Sequence, residues 1–142
     1  MTRIMQTIDV RATPGQVFRF VEDAGNLPKY LPVTHVDILD SDPTHTKARH
    51  DWNAGGKHIE MVSVERVIEN GRKLRFTAIE GLPMEATWLL QDNQNGTRVT
   101  YMMDYQPTGG FFGRLMDRFR LRKDMTRICC EGLQKLKIAV EA

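Results

Sequence analysis

Cysteine is almost absent from the sequence: the chain has two, Cys129 and Cys130, and they are adjacent. Neighbouring side chains on a helix diverge by about 100°, so a disulfide between these two is disfavoured and a reducing compartment is the simpler interpretation. A long hydrophobic run is also missing. Within residues 1–10, Asp9 and the polar Gln6 and Thr7 interrupt the apolar residues. We therefore expect no signal peptide, no membrane span and a cytoplasmic protein.

An excess of one charge is missing as well. The chain has 20 Lys and Arg residues against 18 Asp and Glu residues, which gives a net charge of +2. A chain so close to neutrality lacks the overall field that steers proteins to nucleic acids or anionic membranes, so we expect no nucleic-acid partner. Its 142 residues suit a single domain over residues 1–142 and are too few for two cores joined by a linker.

Metal-ligand spacings are also absent. The four histidines, His35, His45, His50 and His58, include no pair at i and i+2 or i and i+4, and no cysteine or carboxylate accompanies them at the spacing of a known metal site. We therefore expect neither a metal nor another cofactor.

What the sequence does have is one regular helical segment near its end, between Gly109 and Val140. From Met125 onward the apolar residues recur at spacings of three and four, which places them on one stripe of a helix while polar residues occupy the other side. Such a stripe predicts a long helix that covers one face of a sheet. The stripe consists of Met125, Ile128, Cys129, Leu133, Leu136 and Val140.

Most of the preceding chain alternates between apolar and polar residues, which is typical of strands. A first strand ends near Val10, and Thr13 and Pro14 then predict the start of a short helix to Asp23. A second short helix or a loop follows over Asn26–Pro32. Asn70-Gly71 and Asn95-Gly96 are hairpin signals, and Gly55-Gly56 predicts a further turn. The other predicted strands are Val33–Leu39, Thr46–Asn53, His58–Ile68, Leu74–Glu80, Met84–Asp92 and Thr97–Gln106.

Seven sequentially neighbouring strands and a long last helix predict an α+β fold with one antiparallel sheet. The period-two pattern assigns an inward face to most strands. In His58–Ile68, however, apolar residues occupy both phases, so periodicity leaves its register open and a bulge is expected there. The inward residues predicted elsewhere are Ala48, His50, Trp52, Leu74, Phe76, Ala78, Met84, Ala86, Trp88, Leu90, Val99, Tyr101, Met103 and Tyr105.

Both ends of the chain resemble a known superfamily. Ala12-Thr13-Pro14 followed by Val17-Phe18, and later the segment YQPTGGFFG at 105–113, are similar to the SRPBCC or START-like superfamily, in its polyketide cyclase/dehydrase-like branch. The resemblance extends over essentially the whole chain. It implies the helix-grip fold, a seven-stranded antiparallel sheet wrapped around the long C-terminal helix, with a cavity between them for an apolar ligand. No fixed catalytic motif of the superfamily can be matched here, so the resemblance implies no catalytic residues. It also does not specify the activity, because the members of the superfamily include both carriers and enzymes.

Within that implied cavity, His50 is the candidate acid or base, since an inward imidazole beside Trp52 can act on a carbonyl group. The alternative is a histidine that only bonds to a neighbour near the end of the sheet. Arg122 lies close to the apolar stripe by helical projection, so it either pairs with an anionic head group at the cavity mouth or extends into water. The predicted ligand-binding residues are Trp52, Phe76, Met84, Trp88, Tyr101, Met103, Tyr105, Arg122 and Met125.

Three functions remain open at this stage. The first is binding or transport of a small hydrophobic or amphipathic molecule. The second is a cyclase or dehydratase that acts on a polyketide-like or aromatic substrate in the same cavity. The third is a regulator that binds a membrane or a partner through the basic start of the long helix, where Arg114, Arg118, Arg120, Arg122 and Lys123 cluster. The chain is expected to be a monomer or a homodimer.

Overall fold

The structure, a computed structural model, describes residues 2–54, 57–106 and 118–142. It has the predicted α+β helix-grip architecture, with a seven-stranded sheet, two short helices after the first strand and a long last helix. A 3₁₀ turn, Ala24–Asn26, joins the two short helices. The elements are β1 (Thr2–Val10), α1 (Pro14–Glu22), α2 (Leu27–Tyr30), β2 (Val33–Asp42), β3 (His45–Ala54), β4 (Lys57–Glu69), β5 (Lys73–Glu80), β6 (Met84–Asn93), β7 (Gly96–Tyr105) and α3 (Arg118–Glu141).

All the strands pair antiparallel in the order β1-β7-β6-β5-β4-β3-β2. Each strand from β2 to β7 therefore lies beside its neighbour in sequence, and β1 closes the far edge against β7. Such a chain of hairpins needs no crossover connection. Helix α3 packs against β1, β7, β3 and α2. We call the face of the sheet that carries the buried rows of β3, β6 and β7 the inner face.

The start of α1 forms as its sequence predicts. The Thr13 hydroxyl accepts a hydrogen bond from the backbone N–H of Gln16, and the Gln16 side chain accepts one from the backbone N–H of Thr13. This capping box satisfies two N–H groups that a helix leaves unpaired at its first turn, and such a cap is typically worth about 1 kcal/mol. Pro14 occupies the first helical position, where no N–H is needed.

The stripe of α3 is buried as predicted. Every residue of the stripe is buried except the half-buried Val140, and Leu121 extends it by one turn. Cys129 is buried while Cys130 is exposed, and both are free thiols. The first described residue of this helix is Arg118, so the predicted helical stretch from Gly109 to Asp117 lies outside the described residues. No described helix is both long and apolar enough to cross a membrane.

Both predicted hairpins form, since β4 pairs with β5 around Asn70-Gly71 and β6 pairs with β7 around Asn95-Gly96. Their turn type differs from the type I′ turn that these dipeptides favour, because neither asparagine has a positive φ. In the second hairpin Gly96 already pairs with Asn93, and the loop lies one residue earlier. The loop moves because Gly96 is needed inside the sheet, where it passes close to the backbone of Val10.

One strand prediction changes and another is confirmed. β2 continues to Asp42 instead of ending at Leu39, because the Asp42 carboxylate accepts hydrogen bonds from the N–H groups of Thr44 and His45 and closes a tight turn. The expected irregularity in His58–Ile68 is confirmed, since the pairing of β4 with β5 shifts register twice. The predicted turn at Gly55-Gly56 lies outside the described residues.

Gly96 offers a direct test of this packing. A Cβ at Gly96 would collide with the carbonyl oxygen of Val10 and would lie 3.0 Å from the nitrogen of Ala12. Backbone atoms cannot move aside as a side-chain end can, so we expect Gly96→Ala to lower the free energy of unfolding by about 2 kcal/mol or more. The measurement is urea denaturation. Gly15→Ala is the control, because a Cβ at Gly15 in α1 meets nothing within 4 Å. Equal effects of both substitutions would contradict the close approach.

Candidate functional site

A cavity lies on the inner face of the sheet, where β3 to β7 meet the short helix α2. Its wall is apolar or aromatic apart from His50 and Ser63. A mostly apolar cavity with a few converging polar groups is the usual form of a small-molecule site. The described residues that line it are Leu27, Leu31, His50, Trp52, Met61, Ser63, Phe76, Ala78, Met84, Ala86, Trp88 and Tyr101.

Alternation in β3, β6 and β7 brings most of the predicted residues together. The predicted ligand-binding residues on this wall are Trp52, Phe76, Met84, Trp88 and Tyr101, and the candidate acid or base His50 lies beside them. The residues that α2 and β4 contribute to the cavity wall were not predicted from the sequence. The helix α2 was too short to show a stripe, and the register of β4 was left open.

The other predicted residues lie elsewhere. Met103, Tyr105 and Met125 are buried in the core but are not among the residues that line the cavity. Arg122 is exposed. Burial raises the pKa of Tyr105, and the charge of Arg122 acts in the opposite direction, which places this arginine near the Tyr105 end of the sheet. Arg122 is therefore not among the described residues that line the cavity.

The cavity is small in this structure. The volume open to the centres of water molecules is about 30 Å³, and one water needs roughly 10–15 Å³ by this measure. A larger molecule fits only if side chains of the wall move. Met61 and Met84 are suited to that, because methionine is unbranched and adapts its shape readily. Leu27 and Leu31 belong to or flank a helix of only four residues.

His50 and Ser63 form the polar part of the wall. Both residues are buried, and the His50 Nε2 lies 3.0 Å from the Ser63 Oγ, within hydrogen-bond distance. The His50 Nδ1 is buried and has no hydrogen-bond partner among the described residues. Burial lowers the pKa of His50 to about 4, although the neighbouring Asp51 charge acts in the opposite direction. The imidazole is therefore neutral at pH 7.

Glu65 is a buried acid two residues after Ser63 on β4, and only 5% of it is exposed. It is not among the described residues that line the cavity. Burial raises the pKa of its carboxyl to about 8, and the charges of Glu22 and Asp23 act in the same direction. Its Oε2 has no hydrogen-bond partner among the residues that the structure describes. Since pH 7 is below that pKa, the carboxyl is mainly protonated.

The inward position of Glu65 could not be predicted from the sequence, for a physical reason. Apolar residues lie on both phases of β4, so the period-two rule has no preference. The register is set by the pairing with β3, where His50 is opposite Met61 and Ala48 is opposite Ser63. That pairing turns Met61, Ser63 and Glu65 inward. A single inward glutamate carries no signal in the sequence that distinguishes it from a surface glutamate.

Aromatic rings join the cavity to the helices. The Trp88 ring stacks on Tyr101 with centroids 4.2 Å apart and meets the edge of Tyr30 at 5.6 Å. Tyr30 is 1% exposed, and within the part of the chain that the structure describes its hydroxyl has no hydrogen-bond partner. Burial raises the pKa of Tyr30, and the charge of Glu65 adds to this. The hydroxyl is therefore a neutral group that lies within electrostatic range of Glu65.

Among residues 2–54, 57–106 and 118–142, no group of three or more His, Cys, Asp or Glu side chains could hold a metal ion. The nearest arrangement to such a site is His45 with Asp40 and Asp42, where the two ring nitrogens of one histidine each face a carboxylate. These contacts lie at the β2–β3 turn.

Solved structures that share this fold include the following three proteins. TTHA0849 from Thermus thermophilus is 26% identical, with a TM-score of 0.84 over 98% of this chain and 97% of that one. The Zhui aromatase/cyclase from Streptomyces sp. R1128 is 17% identical, with a TM-score of 0.81 over 99% and 93%. The di-domain ARO/CYC StfQ from the steffimycin biosynthetic pathway is 16% identical, with a TM-score of 0.78 over 98% of this chain and 50% of that one. The last two identities support similarity of fold alone.

A search of curated proteins finds no match to the chain. The model of the family described as polyketide cyclase / dehydrase and lipid transport matches residues 1–141. That match covers every element described above, from β1 to α3. The chain therefore belongs to the polyketide cyclase/dehydrase and lipid transport family.

Proposed function

We propose that the protein binds a small hydrophobic or amphipathic molecule in the cavity between the sheet and α2. The observation that carries this proposal is the apolar wall, in which Trp52 and Trp88 face the same space as His50 and Ser63. Burial of apolar ligand surface supplies the affinity, at about 25 cal/mol per Å². The His50–Ser63 pair supplies a polar contact that orients the ligand.

The cavity volume of about 30 Å³ means that such a ligand must displace side chains of the wall. The methionines and the leucines of α2 are the residues that this proposal expects to move. Opening costs free energy, which reduces the apparent affinity in proportion to the fraction of molecules that are open.

A cyclase or dehydratase is the second candidate. The His50–Ser63 pair inside the cavity favours it, as does the family description. The electrostatics of His50 favour binding over catalysis, however. A general base works best when its pKa is near the working pH, and burial holds the pKa of His50 at about 4. An enzyme of this kind would need the ligand itself to raise that pKa.

The regulator hypothesis rests on the start of α3. Arg120, Arg122 and Lys123 are exposed there and can meet an anionic surface. A run of exposed charges is more often simply solvated, so this hypothesis stays a prediction with less support than the cavity.

The first test is ligand binding itself. We expect some members of a panel of isoprenoids, sterols, polycyclic aromatics and medium-chain alcohols to raise the melting temperature by several degrees. A ligand that binds only the folded state contributes about 2.7 kcal/mol at a concentration of 100 times its Kd. Tryptophan emission should change with the same ligands, because Trp52 and Trp88 line the cavity. If the whole panel changes neither signal, the binding proposal is wrong.

Single-tryptophan variants locate the binding. Trp88→Phe should keep most of the thermal shift, because phenylalanine preserves much of the contact with Tyr101 and Tyr30. The change in emission that remains then comes from Trp52, and the matched Trp52→Phe variant reports Trp88 alone. Both variants should still respond to ligand if the molecule lies between the two rings. A response in only one variant would place the ligand at one end of the cavity.

A separate test addresses catalysis. With a polyketide-like substrate whose cyclisation is followed by absorbance, His50→Ala should lower turnover by about 100-fold, since a general acid or base contributes at least that factor. Ser63→Ala, which removes the hydrogen-bond partner and keeps the imidazole, should have a smaller effect. Circular dichroism of both variants checks the fold. Unchanged turnover in His50→Ala would remove His50 from the mechanism.

A further inference from the structure

The His50–Ser63 pair belongs to the cavity wall, and its hydrogen bonds are incomplete. The His50 Nε2 and the Ser63 Oγ lie 3.0 Å apart, and both residues line the cavity. Among the residues that the structure describes, neither side chain has another hydrogen-bond partner. A hydroxyl can donate once and accept twice, and a neutral imidazole has one N–H and one bare nitrogen. The pair therefore keeps unused hydrogen-bonding capacity inside a mostly apolar cavity.

The two side chains carry two polar hydrogens between them, one on the hydroxyl and one on the neutral imidazole. Their mutual hydrogen bond uses one of the two. If the Ser63 hydroxyl donates to Nε2, the unused hydrogen is on the His50 Nδ1. If the Nε2–H donates to the Ser63 Oγ, the unused hydrogen is on the hydroxyl. In both arrangements the pair has one unused donor, which we call the spare donor.

The spare donor makes the cavity selective, because an unpaired donor in an apolar surrounding is costly. The open volume is about 30 Å³, which has room for water at roughly 10–15 Å³ per molecule. A ligand that fills this space excludes water from it. A ligand without an acceptor then leaves the spare donor unpaired, whereas a ligand with an acceptor oxygen restores the hydrogen bond that water can make.

The wall also lacks a charge that could neutralise an anionic ligand. Of the described residues that line the cavity, none is a lysine, an arginine, an aspartate or a glutamate. Burial lowers the pKa of His50 to about 4, so its imidazole is neutral at pH 7. A ligand carboxylate would lose its hydration shell here without a cation to compensate. A carbonyl, ether or hydroxyl oxygen accepts a hydrogen bond without that cost.

We propose that the His50–Ser63 pair is the specificity-determining contact of the cavity, and that its spare donor binds one uncharged acceptor oxygen on an otherwise apolar ligand. This inference rests on the proposed binding function and names the ligand class for that site. Hydrocarbons are disfavoured because they leave the spare donor unpaired. Carboxylates are disfavoured because the wall offers them no cation.

Three ligands of matched shape test the proposal. Acetophenone, α-methylstyrene and benzoate share one planar frame and differ at one end, which is a ketone, an alkene or a carboxylate. Isothermal titration calorimetry at pH 7 measures the preference for the ketone over the alkene in the wild type and in the double variant His50→Phe/Ser63→Ala. Comparing the two proteins cancels the different hydrophobicities of the ligands. We expect the preference to fall about fivefold in the double variant, the factor that a typical hydrogen bond contributes. An unchanged preference would overturn the proposal.

The single variants test whether the donor is shared. Ser63→Ala leaves the imidazole N–H and His50→Phe leaves the hydroxyl, so each should keep most of the preference for the ketone. Thr87→Val is the matched control, because Thr87 is buried on β6 but is not among the residues that line the cavity. We expect this control to match the wild type. Complete loss of the preference in either single variant, or a fivefold loss in Thr87→Val, would overturn the role of the pair.

Benzoate tests the charge of the ligand. It should bind the wild type about tenfold or more weakly than acetophenone, since a carboxylate that leaves water unpaired carries a large penalty. Equal affinity for benzoate would overturn the uncharged ligand class. Failure of acetophenone, α-methylstyrene and the wider ligand panel to bind would overturn the binding function itself, so the two failures are distinguishable.

The carbonyl stretch of bound acetophenone tests the hydrogen bond in the wild type, without any substitution that could affect folding. A hydrogen bond to the oxygen weakens the C=O bond and lowers its stretching frequency. By isotope-edited infrared difference spectroscopy, we expect the bound ketone to absorb at a lower frequency than the same ketone in a hydrocarbon solvent. A bound ketone with the frequency found in hydrocarbon would overturn the proposal.

Discussion

The packing of Trp88 between Tyr101 and Tyr30 is the contact on which the rest of the structure depends. Trp88 and Tyr101 belong to adjacent strands, and Tyr30 ends α2, so the three rings attach the short helices to the inner face of the sheet. Phe20 extends the contact to α1, with its ring centroid 5.8 Å from that of Tyr30. Stacked and edge-on rings are worth more than their buried area alone. Because Trp88 and Tyr101 also line the cavity, the same contact sets the position of its walls.

The long helix is held against α2 by close backbone packing. A Cβ on Gly132 would lie 3.0 Å from the carbonyl oxygen of Tyr30, so the helix approaches the end of α2 more closely than a larger residue there would allow. Glycine lowers the stability of a helix, and here the contact between α3 and α2 offsets that loss. The wall that α2 provides is therefore held against α3 at Tyr30.

Burial acts in opposite directions on two ionisable groups and with one result. Removal from water disfavours whichever form is charged, so it lowers the pKa of His50 in the cavity wall and raises that of Glu65, which does not belong to that wall. Both groups are therefore neutral at pH 7. The polar groups among the described residues of the wall, His50 and Ser63, are thus both neutral.

Periodicity alone determined the inner rows of β3, β6 and β7, the stripe of α3 and the cap of α1, because each of these segments has one apolar phase and one polar phase. Half of the described residues that line the cavity come from those rows. Tertiary structure decided the rest. The register of β4 depends on its pairing with β3 and on the shift between Val62 and Ser63, and this register alone turns Glu65 inward. Arg122 is exposed and is not among the described residues that line the cavity, an outcome that helical projection from the apolar stripe left open. Such choices depend on contacts between residues far apart in sequence, which no local pattern encodes.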